Sequence, residues 1–408
     1  MTSTDKVAVL ALAAVVCLLG RPTAARAMGQ KPGVGQTQLS SDKRCPSRLE
    51  FDKTFANAAA SMEQSQYREV MEALQPLASH GCDPRASLLL AAALEGSGDL
   101  PAAEQALKHA GAVWPSNSSI AASLARLYLS GGHADQAAQA LRHFQATPAT
   151  PPQELELAAV VYLAVHQLTL AQATADVLYK AHPSVHSLLL LANTLQLQGR
   201  FKDVVHLLDG QREQYADAPD FLITLAESEY DSILYDTARD DLQSAIALKP
   251  DSYQAHYLLG NVMIKLNDLD KAVAEYRKAI ALAPSQPRTY YQLALTLDQQ
   301  HDAAGEETML RQALSADPHY APAHVELGRI LLAQSHLPDA VVQLNEAIQD
   351  NPSTEQAYFL LARAYAQLGE KDKSDAMAKR LIEVRNANWR ASNSGEGTQQ
   401  HADGSANP

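Results

Sequence analysis

The sequence predicts an all-α protein, a solenoid of about ten stacked helix–turn–helix units. Three observations carry that prediction. Pro250, Pro284, Pro318 and Pro352 follow one another at a spacing of 34 residues, each closing a similar phrase, such as Ala-Ile-Ala-Leu-Lys-Pro. A helix that ends before a proline at a fixed period marks a stacked helical repeat. One position in every unit is Ala or Gly. Finally, hydrophobic residues make up 46% of the chain but aromatics only 6%, so the apolar mass is mostly Ala and Leu, the strongest helix formers.

From the N-terminus, residues 1–27 read as a signal peptide. Lys6 precedes an apolar run from Val7 to Gly20, and Ala25 and Ala27 frame a small-x-small cleavage site. The run is too short to span a bilayer as a helix. An uncleaved anchor is the alternative. A lipoprotein reading of Cys17 suffers from Val16, which stands where a small residue belongs. Residues 28–50 hold Gly, Gln, Ser and Pro and read as a flexible leader. Cys45 and Cys82 remain after cleavage. In an antiparallel hairpin their positions come together, so an exported chain can bond them, and two unpaired thiols are the alternative.

The array runs over 51–388. Its unit starts are Phe51, Pro84, Ser118, Pro152, Val185, Pro219, Tyr253, Pro287, Ala321 and Glu355. The eighth position then reads Ala58, Ala91, Ala125, Ala159, Ala192, Ala226, Gly260, Ala294, Gly328 and Ala362. A small side chain there lets the first helix pack closely on its neighbours. Gly98, Gly132, Gly199 and Gly369 share one phase between the helices, where glycine closes a helix with a positive φ. In the second helix a small residue precedes a leucine by four, as in Ala103 and Leu107 or Ala238 and Leu242. That spacing puts both on one face. Glu306 departs from the small position. The last helix, Asp372 to about Asn388, keeps Met377, Leu381 and Val384 on one face and reads as a polar cap. The tail, 389–408, is Ser, Gly, Asn, Gln and Ala and reads as disordered.

The period, the terminal proline and the Leu-Gly…Ala pattern resemble the tetratricopeptide repeat. The clearest unit, from Tyr253 to Gln286, carries Leu259-Gly260, Ala272, Tyr276, Ala279 and Pro284. The resemblance, closest in kind to exported bacterial members, implies a right-handed α-solenoid whose first helices line a concave groove. Carried over position by position, that groove takes Glu227, Tyr230, Tyr257, Asn261, Lys265, Arg288, Tyr291, Arg329, Phe359 and Arg363. Aromatics with Asn and Arg suit an extended peptide, although Tyr257, Tyr291 and Phe359 fit equally well as packing residues. The family's carboxylate clamp is incomplete. Asn193 and Asn261 match its Asn, but Leu189 and Tyr257 stand where its Lys belongs.

No phosphate loop, HExxH or CxxC occurs, and no metal site or cofactor is expected. His182 and His186 are separated by Pro183. The carboxylate pairs Asp240-Asp241 and Glu306-Glu307 read as solvated helix faces. Outside the array too little chain remains for a catalytic domain, so the protein is not expected to be an enzyme. A formal net charge of −13 argues against nucleic acid as a partner. These features together predict a non-catalytic scaffold, periplasmic or secreted, binding partner proteins or peptides within an envelope complex, with no transmembrane segment after cleavage. The alternative is a glycan-binding accessory protein of polysaccharide export or processing, for which only Trp114 and Trp389 offer indole platforms.

Overall fold

The computed structural model of the chain describes residues 44–393. The expected signal peptide, the leader before residue 44 and the tail beyond 393 lie outside the described residues. Among the described residues there are 21 helices and no strand. They group into two compact units, one reaching to Gln198 and one beginning at Gly199.

Unit 1 comprises α1 (Arg48–Glu63), α2 (Tyr67–Ser79), α3 (Pro84–Gly96), α4 (Leu100–Val113), α5 (Ser118–Ser130), α6 (Ala134–Ala140), α7 (Pro152–Ala164), α8 (Leu168–Ala181) and α9 (Val185–Leu197). The first helix begins three residues before the expected start at Phe51. Ser47 forms a capping box with Glu50, satisfying two terminal N–H groups and drawing the helix forward. The leader is therefore ordered by residue 47, and Cys45 within it is bonded to Cys82, with Cα atoms 5.5 Å apart. Next to that bond, Asp83 is 1% exposed and ion-pairs with Arg48 and Arg85. The Arg85 guanidinium also sits 5.1 Å from the ring centres of Phe51 and Phe55. Helix α6 is cut to 7 residues. Pro148, Pro151 and Pro152 follow it in the connecting loop and at the next helix start, and Thr150 is buried in that loop, bonded to Thr147.

Unit 2 comprises α10 (Phe201–Asp209), α11 (Arg212–Tyr215), α12 (Pro219–Asp231), α13 (Tyr235–Leu248), α14 (Tyr253–Lys265), α15 (Leu269–Leu282), α16 (Pro287–Gln299), α17 (Ala303–Ala316), α18 (Ala321–Ala333), α19 (Leu337–Asp350), α20 (Glu355–Gln367) and α21 (Lys371–Asn393). From α12 onward each helix packs on the next as a run of hairpins. Helix α21 continues to Asn393, so the first residues of the expected tail are helical. Asn388 anchors this end by donating to the Ser353 carbonyl and to Glu355.

Two rules repeat in both units. The small eighth position is buried in all but the last case, where Ala362 is half-buried. In this last repeat the second helix carries the exposed Ala378 at the position that is leucine in most of the others. The turn rule reaches further than the glycines. The residue at their phase has a positive φ in every unit, at Ser65, Gly98, Gly132, His166, Gly199, Ile233, Asn267, His301, Ser335 and Gly369. Each turn places one residue in the left-handed region, and the next N–H bonds back to the helix end, as Leu234 does to the Glu229 carbonyl (2.8 Å). Unit 2 adds a tie between hairpins. His256 and His324 point Nε2 at the carbonyls of Pro250 and Pro318 (3.0 and 2.9 Å), and the Tyr358 hydroxyl donates to that of Pro352 (3.2 Å). The same helix position thus holds the turns at Pro250, Pro318 and Pro352 by their proline carbonyls.

Candidate functional site

All ten groove positions expected from the sequence fall on the first helices of unit 2, α12, α14, α16, α18 and α20. The structure divides them by burial and partners. Tyr257 is a packing residue, only 8% exposed. Its ring lies 6.0 Å from Tyr253, nearly parallel, and 6.0 Å from Tyr276, tilted, while the Arg288 guanidinium lies 5.5 Å over it. Its hydroxyl is buried without a hydrogen-bond partner, and burial holds it well above the usual tyrosine range. Asn261, next on the same face, is half-buried and accepts from the Tyr276 hydroxyl at 2.7 Å. Tyr257 and Asn261 therefore converge on Tyr276, a second-helix residue outside the expected site, while Arg288 covers Tyr257.

Arg329 is engaged within the fold. It donates to Glu306 and to Glu326, both at 2.5 Å, and Gln356 donates to the other oxygen of Glu326. Glu306 is 3% exposed, contrary to the solvated face expected of it. Burial pushes its carboxyl up to about 7, Asp298 and Glu326 add to the rise, and Arg329 opposes it. In the other carboxylate pair Asp240 is exposed as expected, but its neighbour is not. Asp241 is 6% exposed and takes a two-pronged bond from Arg212 (2.5 and 2.9 Å). Beside it Glu229 is buried, and burial followed by the Asp241 charge pushes it up to about 8. Hydrophobic periodicity cannot reveal such pairs. Their signal in the sequence is a charged residue at a packing position, as Glu306 is.

The remaining side chains are accessible. Tyr230 is half-buried against Tyr235, 5.6 Å between ring centres, and burial pushes its hydroxyl up to about 12. Tyr291 meets Tyr320 edge-on at 5.7 Å. Lys265 is exposed at the end of α14. Phe359 is 50% exposed with the Arg363 guanidinium 5.9 Å over its ring. Glu227 is half-buried on α12. This face offers half-open aromatic rings and charged ends backed by a rigid tyrosine layer. It holds no nucleophile paired with a base. Among the described residues no group of three His, Cys, Asp or Glu side chains could hold a metal ion, and no helix is long and apolar enough to cross a membrane.

Tetratricopeptide-repeat family models match residues 84–108, 223–287 and 355–388, and a further TPR-repeat model matches 328–369. No curated protein matches the chain in sequence. Among solved structures it is similar to MamA (17% identity, covering 41% of this chain and 97% of that one, TM-score 0.38). It is also similar to YrrB, described as a TPR protein with an unusual peptide-binding site (17%, 46% and 97%, TM-score 0.37). A third is PilF of Pseudomonas aeruginosa (14%, 52% and 96%, TM-score 0.45). With the helical hairpins, the small eighth position and the turn phase described above, the family-model matches identify a protein of tetratricopeptide repeats.

Proposed function

We propose that this protein is a non-catalytic scaffold of the cell envelope that holds a partner protein or extended peptide on the first-helix face of unit 2. The observation that carries the reading is the set of open side chains on the first helices α12, α14, α16 and α20: Tyr230, Lys265, Tyr291, Phe359 and Arg363, of which Tyr291 and Phe359 stand at the same helix position. A half-exposed phenylalanine under a guanidinium offers flat contact area and charge together, at low entropic cost. The tyrosine layer behind, from Tyr253 to Tyr276, holds the helices at fixed spacing, which lowers the cost of binding further. Support for an envelope location comes from the N-terminal sequence, with its short apolar run and Ala-x-Ala site.

The test is a pull-down from envelope extract with residues 28–408 as bait. The control is Lys265→Glu/Phe359→Ala/Arg363→Ala, three residues whose side chains open to solvent, so helical circular dichroism should stay unchanged. A protein retained by the parent and lost from the variant supports the reading. Equal retention by both would place binding elsewhere and refute it. Export is tested separately, by N-terminal sequencing of the protein from the envelope fraction; retention of Met1 there would refute cleavage.

A further inference from the structure

Ile233 stands where a β-branched residue is least at home. It occupies the left-handed turn position with φ 67°, while the nine equivalent residues are Gly, Ser, His or Asn. A branched Cβ clashes with the backbone in this region, whereas Gly and Asn adopt it readily. Nothing in the fold repays the strain, because Ile233 is 72% exposed. Its neighbour Leu234 is 46% exposed. The two rings flanking them, Tyr230 and Tyr235, pack on each other and form the base of an apolar knuckle. Strain retained at an exposed position points to a use outside the fold.

The surrounding charge says what kind of partner fits. Asp231 is exposed on one side, and Asp236 and Asp240, with side chains 76% and 65% exposed, lie on the other. Arg239 bridges Asp236 (2.8 Å) and Asp240 (2.9 Å), one guanidinium to two carboxylates, so this side of the knuckle keeps a net acidic rim. We infer that the α12–α13 turn, Tyr230 to Tyr235, docks a basic, apolar segment of another protein. An apolar side chain of that segment packs on Ile233 and Leu234, and its Lys or Arg residues meet the aspartates. The site adjoins the first-helix face but does not rest on the function proposed for it.

The test uses two synthetic amphipathic 15-residue peptides with the same leucine spacing, one Leu/Lys and one Leu/Glu, titrated against the full chain by calorimetry. The variants are Ile233→Gly and Ile233→Asn, which keep every charge. Relief of the turn should raise Tm by about 2–4 °C. Affinity for the Leu/Lys peptide should nonetheless fall by about tenfold or more, as expected when an apolar anchor is lost. The Leu/Glu peptide should not bind. The Phe359→Ala/Arg363→Ala variant should bind the Leu/Lys peptide like the parent, which separates this site from the groove. Unchanged affinity in the Ile233 variants, or equal binding of the two peptides, overturns the inference. A lowered Tm overturns its premise that the isoleucine is costly, and a partition onto phosphatidylcholine vesicles that depends on Ile233 replaces the protein partner with a lipid surface.

Discussion

A methyl group added at Gly260 would lie 2.5 Å from Cε1, 2.7 Å from Cδ1 and 2.9 Å from Cζ of Tyr276. The ring cannot step aside. It is fully buried, its hydroxyl is bonded to Asn261 at 2.7 Å, and Tyr257 packs on it. Forcing such an overlap costs about 1–3 kcal/mol, and the rigid ring places this site toward the upper end. Alanine in mid-helix returns about 1 kcal/mol over glycine, so Gly260→Ala should destabilise by about 1–2 kcal/mol. In units six and eight, Ala226 and Ala294 coexist with Leu242 and Leu310 at the position of Tyr276. In a Tyr276→Leu background the same Gly260→Ala change should therefore stabilise, by about 1 kcal/mol. The coupling between the two changes is then about 2–3 kcal/mol, measurable by urea denaturation of the parent, the two single variants and the double variant. Additive effects, within about 0.5 kcal/mol, would refute the idea that glycine is here because the partner is tyrosine. Gly328 offers a contrast. Its added methyl would meet Leu344 at 2.7 Å, but a leucine can withdraw through its own torsions, so Gly328→Ala should cost less than Gly260→Ala.

Replacing both Cys45 and Cys82 with serine should cost about 3–4 kcal/mol from loop closure, with hydrogen exchange rising in α1 to α3. Unchanged exchange there would show that capping and the Asp83 ion pairs hold this end without the bond. His324→Phe keeps the ring but loses the bond to the Pro318 carbonyl and the contact with Gln343, and should lower stability by about 1–2 kcal/mol in urea melts. The folded state holds a proton on Glu306 up to about pH 7 and on Glu229 up to about pH 8, whereas an unfolded glutamate loses it near 4.5. Folding therefore binds protons in that window. Stability is fully present below pH 4.5 as far as these groups are concerned and falls as pH rises through 7 to 8. For Glu306 the loss reaches up to about 3 kcal/mol, and Glu306→Gln should flatten the dependence of Tm on pH between about 4.5 and 7. A variant with the parent's slope would count against that assignment.

What the sequence revealed and what it hid have the same cause. Period, small positions and glycines are properties of one repeat seen many times, so agreement between copies reveals them without coordinates. The starts at Pro84, Ser118, Pro152, Val185, Pro219, Tyr253, Pro287, Ala321 and Glu355 coincide with helix starts for that reason. Termini have no second copy. The first helix begins at Arg48 because of a local cap at Ser47, and α21 runs on through Trp389 to Asn393, so the repeat register missed both ends. Interactions between copies were equally hidden. Arg329 looked like a groove donor because its position points along that face, but the carboxylate it meets comes from the preceding second helix. Tyr257 is covered in the same way by Arg288 of the next repeat, while Tyr276 of its own second helix packs behind it.

Read together, the departures from the repeat are informative because they come in matched sets. Gly260 deviates where Tyr276 deviates, and Glu306 replaces a small residue where Arg329 stands in the next unit to meet it. Each of these exceptions is compensated by a contact inside the fold, so its pressure is structural and its variants should change stability before binding. Ile233 departs from its nine equivalents with no such partner, and Phe359 and Lys265 remain open on their helices. Uncompensated departures are the ones a fold alone would not retain. That separation assigns Tyr257, Asn261 and Arg329 to holding the tyrosine and carboxylate layers of unit 2. It leaves Lys265, Phe359, Arg363 and the Ile233 turn as the residues whose loss should be felt by a partner while the melting curve stays in place or moves upward.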